Sequence, residues 1–170
     1  MKYWLITDTH LNHTKLEEWG GRSGNWQEQI LDGIFRIPKE DTLIHLGDIC
    51  IGEDAEMNKQ LTDLAPIQKI LVKGNHDTKS ASWYLDHGWD FVCDGFHLDY
   101  MGHMLLFTHR PMHPDMWRFT RNIHGHTHGN NHRAEEYHEW YTSDFHIDIS
   151  PEVVGYQPIL LDTLIKKNKG

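Results

Sequence analysis

Lys69-Ile70-Leu71-Val72-Lys73-Gly74-Asn75-His76-Asp77 runs a short apolar segment straight into an amide, an imidazole and a carboxylate. The apolar part reads as a buried strand. Gly74 lets the chain turn sharply, and three chemically able side chains follow on a loop at the strand's end. Alone, Gly74-Asn75-His76-Asp77 reads better as an Asn/Asp turn that holds a histidine. Three further stretches change that reading. Asp8-Thr9-His10 follows Tyr3-Trp4-Leu5-Ile6, Gly47-Asp48 follows Leu43-Ile44-His45-Leu46, and Gly125-His126-Thr127-His128 follows Asn122-Ile123-His124. A strand followed by ligand-type residues therefore occurs four times.

The composition sets the frame. A chain of 170 residues suffices for one domain, spanning 1–170, with a real hydrophobic core. Hydrophobic residues make up 38% and the mean hydropathy is −0.63, which excludes a disordered or membrane-embedded chain. No apolar run approaches the roughly 20 residues of a spanning helix. The N-terminal segment lacks the pattern of a secretory signal, and two cysteines, Cys50 and Cys93, make no disulfide framework. A cytoplasmic location is expected. The formal net charge of −9 argues against a stable nucleic-acid partner, which calls for a basic face. Fifteen histidines, spread along the chain, point to a metal site that uses several of them plus a solvated excess.

Strands are expected over 2–7, 42–46, 69–72, 91–93, 97–100, 104–108, 121–124, 145–149 and 158–164. Residues 14–24 read as irregular. A helix from Trp26 to Ile37 is expected, capped by Asn25 and stopped by Pro38, with Ile30, Leu31, Ile34 and Phe35 on one face. Further helices are expected over 53–64 and 80–87, with a hairpin turn at Met101-Gly102-His103. Residues 129–143 read as an exposed polar and aromatic excursion. Early strands alternate with helices and later ones are joined by turns, which gives an α/β fold of the mixed sandwich type.

Asp8, His10, Asp48, Asn75, His109, His126 and His128 each lie just beyond an expected strand. In an open α/β sheet the crevice beyond the carboxyl ends of the strands is the usual site. Seven donors there suffice for two divalent ions. Asp48 is the natural bridge, because its two oxygens can serve two metals. His126 and His128, two apart on an extended chain, suit two ions better than one. Nitrogen and carboxylate donors without thiolate suit Mn, Fe, Zn, Co or Ni, with manganese expected first.

In order, Asp8-x-His10, Gly47-Asp48, Gly74-Asn75-His76-Asp77, Thr108-His109 and Gly125-His126-x-His128 resemble the calcineurin-like metallophosphoesterases, in the form of a small single-domain member. Gln157-Pro158-Ile159-Leu160-Leu161-Asp162 is similar to the family's closing strand. The resemblance implies two packed mixed β-sheets flanked by helices. It implies one ion on Asp8, His10, Asp48 and His128, and a second on Asp48, Asn75, His109 and His126. It implies that a hydroxide held between the ions attacks a small phosphodiester or nucleotide-type substrate. His76 would serve as the acid for the leaving group, and Asp77 would orient it. Arg110 and Asn12 are candidate substrate contacts. A nucleotide monophosphatase or a small nuclease of the same family is the alternative; a non-catalytic scaffold would have lost ligands.

Other residues have plainer readings. His45 and His124 alternate with apolar neighbours and read as packed, hydrogen-bonded core histidines. His13, His87, His97, His103, His132, His138 and His146 read as solvated or locally bonded. Cys50 reads as a small buried residue. Arg22, Trp19 and Trp26 could line a pocket, with core packing the better reading for the tryptophans.

Overall fold

The computed structural model describes residues 1–167 apart from Gly20, Ser23, Trp117, 131–135, His138 and Ser143, and without the side chains of Trp19 and Met116. The elements run β1 (Tyr3–Ile6), α1 (Leu16–Trp19), α2 (Trp26–Phe35), β2 (Thr42–His45), α3 (Asp54–Leu64), β3 (Gln68–Val72), α4 (Ala81–Asp86) and β4 (Phe91–Cys93). Then follow β5 (Gly95–Tyr100), β6 (His103–Thr108), a 3₁₀ turn at Pro114–Met116, β7 (Arg121–His124), β8 (His146–Asp148), α5 (Pro151–Val154), β9 (Ile159–Leu160) and α6 (Leu161–Lys167).

Two mixed sheets result. The first has the order β4-β3-β2-β1-β9, parallel except for β9; the second has the order β5-β6-β7-β8, parallel except for β5. The period-2 alternation of each strand splits its residues between two cores. Leu5, Ile44, Leu46 and Val72 point inward and meet Leu105, Phe107, Ile123 and Ile147 of the second sheet. Ile6, Leu43 and Leu71 point outward and meet Trp26, Ile30 and Ile34 of α2 and Leu61 of α3. The two faces explain why these strands read as continuous apolar runs rather than alternating ones. None of the described helices is long and apolar enough to cross a membrane.

Several expectations need correction. Residues 158–164 are not one strand: only Ile159–Leu160 pairs, and α6 follows, burying Leu161, Leu164 and Ile165 at helical spacing. Asn25 does not cap α2 through its side chain; its Oδ1 accepts from Gln29 Nε2 at 2.6 Å. In α2 the buried face holds Trp26 in place of Phe35, which is exposed. Residues 14–24 contain the short α1. His146 is the locally bonded rather than the solvated kind: it is buried, its Nδ1 accepts from Thr142 N at 3.1 Å and its Nε2–H donates to Met112 O at 2.9 Å. The 129–143 segment is not wholly exposed: Tyr137 is buried, and the Tyr141 hydroxyl lies 3.0 Å from His124 Nε2. His132 and His138 lie outside the described residues.

Candidate metal centre

The parallel strands of each sheet send their carboxyl ends to one rim, and the ligand-type residues sit on the loops leaving them. The exits of β1 and β2 stay joined past the strands: Asp8 N donates to Gly47 O at 2.9 Å, His10 N to Asp48 O at 3.0 Å and Leu11 N to Ile49 O at 2.8 Å. Five of the seven expected ligands have left-handed backbones: Asp8 (φ 48°), His10 (42°), Asp48 (59°), His126 (68°) and His128 (54°). Such a conformation costs roughly 1–2 kcal/mol at an ordinary residue, and its clustering marks a built site.

Two donor groups form at this rim. Asp8, His10 and His128 offer atoms within 4.8 Å of one another, and so do Asp48, His109 and His126. Asp48 joins the groups, since its Oδ2 lies 3.6 Å from His10 Nε2 and 3.4 Å from His109 Nε2. Its Oδ1 is committed elsewhere, accepting from His76 N at 2.8 Å. The expected division of two oxygens between two ions therefore gives way to one oxygen facing both groups. Asn75 adds its Oδ1, 3.1 Å from His109 Nε2.

Unpaired acceptors show that the residues fit divalent cations. Asp8 Oδ2 accepts from Thr7 Oγ1 at 2.8 Å and His126 N at 2.9 Å. Asp8 Oδ1 is buried without a hydrogen-bond partner, 3.4 Å from His128 Nε2 and 3.7 Å from His10 Nε2. A buried carboxylate oxygen left unpaired is costly. His109 Nδ1–H donates to Leu46 O at 2.8 Å. A neutral His109 then turns the Nε2 lone pair toward Asp48 Oδ2, Asn75 Oδ1 and His126 Nδ1, the last at 3.2 Å. Lone pairs so close repel unless a metal ion or a proton stands among them.

The electrostatics agree. Burial opposes ionisation of Asp8, yet the surrounding His10, His109 and His128 hold its carboxyl well below the usual range. Asp48 is also lowered: burial is the largest influence and opposes it, but the hydrogen bond and charge of His109 together with the charge of His10 outweigh it. Burial disfavours the charged form of His109, but Asp48 prevails and pushes it up to about 9. Burial, then His109 and Arg110, push His126 down to about 4, and burial also lowers His10. Two anionic oxygens thus face His10 and His126, which keep their lone pairs, and His109, which without an ion answers Asp48 with a second proton on Nε2. Beneath them His45, pushed to about 3 by burial, accepts from Gly47 N at 3.0 Å and lies 3.0 Å from Thr9 Oγ1, the neutral packed role expected of it. Burial raises the Cys50 thiol to about 12, which removes it as a nucleophile.

The remaining expected site residues take varied places. His76 is 48% exposed in its side chain, with Nε2 3.9 Å from Asp48 Oδ2 and its ring edge-on to His10 at 5.4 Å. Asp77 is buried, and its carboxylate is occupied by three backbone donors: Asp48 N (2.7 Å), Gly74 N (2.8 Å) and Ile49 N (3.1 Å). It ties the β2 and β3 exits together, in place of the expected contact with the His76 ring. Arg110 is exposed beside the second group, Nη2 3.4 Å from Asn75 Oδ1. Asn12 Nδ2 donates to Ile51 O at 3.1 Å, a bond within its own loops. Gly74 has no left-handed backbone; it is glycine because a Cβ would collide with Asp48 Oδ1. Gly125 is likewise glycine for clearance, against Asp8 Oδ2 and Thr7 Oγ1.

One layer behind the ligands was missed. His128 Nδ1 lies 3.0 Å from Glu152 Oε1, and His128 N donates to Ser150 Oγ at 3.1 Å. Thr127 Oγ1 donates to Asp148 Oδ2 at 2.5 Å. Asp148-x-Ser150-x-Glu152, acceptors at alternate positions running out of the end of an expected strand, was the available signal. Arg22, a pocket candidate, is buried against Glu152.

A two-sheet sandwich with histidines, carboxylates and an amide gathered on one rim defines a metallohydrolase-type site. Residues 1–143 match the family model described as the calcineurin-like phosphoesterase superfamily domain. The chain belongs to the calcineurin-like phosphoesterase superfamily. An uncharacterised protein of Methanocaldococcus jannaschii is 25% identical over 176 residues, covering 97% of this chain and 90% of that protein. The crystal structure of a protein of unknown function from Aquifex aeolicus superposes with a TM-score of 0.75 at 25% identity, covering 98% of each chain. A novel archaeal phosphodiesterase shares the fold, with a TM-score of 0.54 at 19% identity, covering 95% of this chain and 100% of that one.

Proposed function

We propose that the chain is a single-domain, dinuclear metal-dependent phosphodiesterase acting in the cytoplasm on a small phosphodiester or nucleotide-type substrate. The observation that carries this reading is Asp48 Oδ2 standing between two donor groups, 3.6 Å from His10 Nε2 and 3.4 Å from His109 Nε2. Asp8, His10, Asp48 and His128 would hold one ion; Asp48, Asn75, His109 and His126 would hold the other. When bound, such ions supply Lewis acidity and bring the pKa of water from about 15.7 toward about 7. Manganese is the ion we propose among Mn, Fe, Zn, Co and Ni, all of which the mixed imidazole and oxygen donors suit.

The chain's own residues do the rest. His76 belongs to neither donor group and is 48% exposed, which supports a role for its imidazole in giving a proton to the departing oxygen as the phosphorus–oxygen bond breaks. Asp77 fixes the His76 loop against Asp48 through the backbone. Arg110 offers one guanidinium, which matches the single negative charge of a diester better than the two of a monoester.

The test compares wild type with His76→Ala on a p-nitrophenyl diester and on an alkyl or nucleoside diester, with metal content measured on the same samples. General acid catalysis is worth about 10²–10⁴-fold. Loss is expected mainly on the ester with the poor leaving group, at unchanged metal content. Equal loss on both esters with metal missing would remove His76 from this role, and faster wild-type turnover of the matching monoesters would make the enzyme a monophosphatase.

A further inference from the structure

We infer that Glu152, held by Arg22, is a positioning residue that fixes His128 as a metal ligand and sets the affinity of the Asp8–His10–His128 group; this rests on the metal reading above. An imidazole that ligates through one nitrogen carries a proton on the other, and the acceptor of that proton fixes tautomer, ring orientation and basicity. His128 turns Nε2 toward Asp8 Oδ1 (3.4 Å) and Nδ1 toward Glu152 Oε1 (3.0 Å). The carboxylate therefore takes the Nδ1–H and leaves Nε2 for the ion.

Glu152 is itself held. Arg22 is only 3% exposed, and its Nε donates to Glu152 Oε1 at 2.8 Å while Nη2 donates to Asp8 O at 2.9 Å. The guanidinium also lies over the Trp26 ring at 4.7 Å. Arg22 Nη2 comes within 3.3 Å of His128 Nδ1. That nitrogen cannot both accept from Arg22 and donate to Glu152. The shorter contact decides for Glu152, since Nη2 already has Asp8 O. One buried guanidinium thus links the backbone of one ligand, on the β1 exit, to the carboxylate behind another, on the β7 exit.

A purely structural ion pair would not need the ring of His128. The loop is already anchored without it, through Ser150 Oγ on His128 N and Asp148 Oδ2 on Thr127 Oγ1. The contact between Glu152 and the imidazole adds orientation of the ring itself. Glu152 also lies beyond residues 1–143, the part that carries the family match, so its role comes from this chain's geometry.

The test titrates metal-free wild type, Glu152→Gln and Glu152→Ala with Mn²⁺ alone by calorimetry, with thermal melts of the same samples. Loss of such an outer partner typically costs ~10–100-fold in metal affinity. Glu152→Ala should weaken one of two ions by that factor and leave the other unchanged. Glu152→Gln should fall between, because its amide oxygen still accepts Nδ1–H. Two ions held by both variants at wild-type affinity would overturn the inference alone. Equal weakening of both ions together with a lowered melting temperature in both variants would also overturn it, in favour of a structural ion pair. If Glu152→Ala does not fold, Glu152→Gln decides by the same criterion. A wild type that takes up no ion would overturn the metal reading itself.

Discussion

Replacing Asp77 by alanine removes the acceptor of three backbone N–H groups at once, those of Asp48, Gly74 and Ile49 at 2.7, 2.8 and 3.1 Å. A buried donor left without a partner costs about 1–3 kcal/mol. Burial pushes the Asp77 carboxyl above the usual range despite those bonds, so part of the gain is offset by the cost of burying the charge. Asp77→Ala should therefore destabilise by about 3–5 kcal/mol. Asp77→Asn keeps one oxygen for Asp48 N and Gly74 N but points an amide N–H at Ile49 N–H, a loss of about 1–3 kcal/mol. Against a total stability of about 5–15 kcal/mol for a domain, both shifts are measurable. The assay is denaturant unfolding of the metal-free proteins, with metal content after reloading. Both variants should lose metal, because the Asp48 and Asn75 loops part. Asp77→Asn with wild-type stability and metal content but impaired turnover would refute the reasoning and return Asp77 to a direct action on the His76 ring.

Three further outcomes are expected. Wild type should bind two ions per chain by elemental analysis; Asp48→Asn should weaken both, and Asn75→Ala chiefly one. Treatment with a chelator should abolish hydrolysis, and manganese should restore it best among divalent ions in an activity assay. Asp41 accepts from Trp4 Nε1 at 3.0 Å and Lys2 N at 2.7 Å, and these bonds hold its carboxyl below the usual range, the Trp4 bond most. A folded-state pKa below the unfolded one gives stability present above pH about 4 and lost as pH falls through the folded value. The melting-temperature gap between wild type and Asp41→Asn should thus be full at pH 6 and close toward pH 3.

Most of the donor cluster was legible because its residues sit where strands end, and there a change from apolar to polar types is local and visible. The mixed α/β sandwich was equally legible from early strands alternating with helices and later ones joined by turns. What failed was decided across distance. Pro158-Ile159-Leu160-Leu161 reads as strand by composition, and only the inter-sheet core shows why Leu161, Leu164 and Ile165 turn helical. Asp77 looks like a partner for its neighbour His76, yet its partners include Asp48 N and Ile49 N, 29 and 28 residues away. Arg22 and Glu152 stand 130 positions apart, and neither has a neighbour that hints at the other. Gly74 is glycine for the clearance of a carboxylate from another strand, which its own sequence cannot express.

The five left-handed ligand positions carry a consequence for how such a chain can evolve. At roughly 1 kcal/mol each, they place about 5 kcal/mol of strain on the rim, comparable with the whole stability of a small domain. Glycine would relieve it at every one of them. Asp8 and Asp48 also accept from His126 N and His76 N, so a population selected for heat resistance alone drifts toward glycine chiefly at positions 10, 126 and 128 and grows sturdier as it loses those donors. Keeping imidazoles and carboxylates on so strained a rim calls for a selection other than stability, and under the function proposed above that selection is turnover.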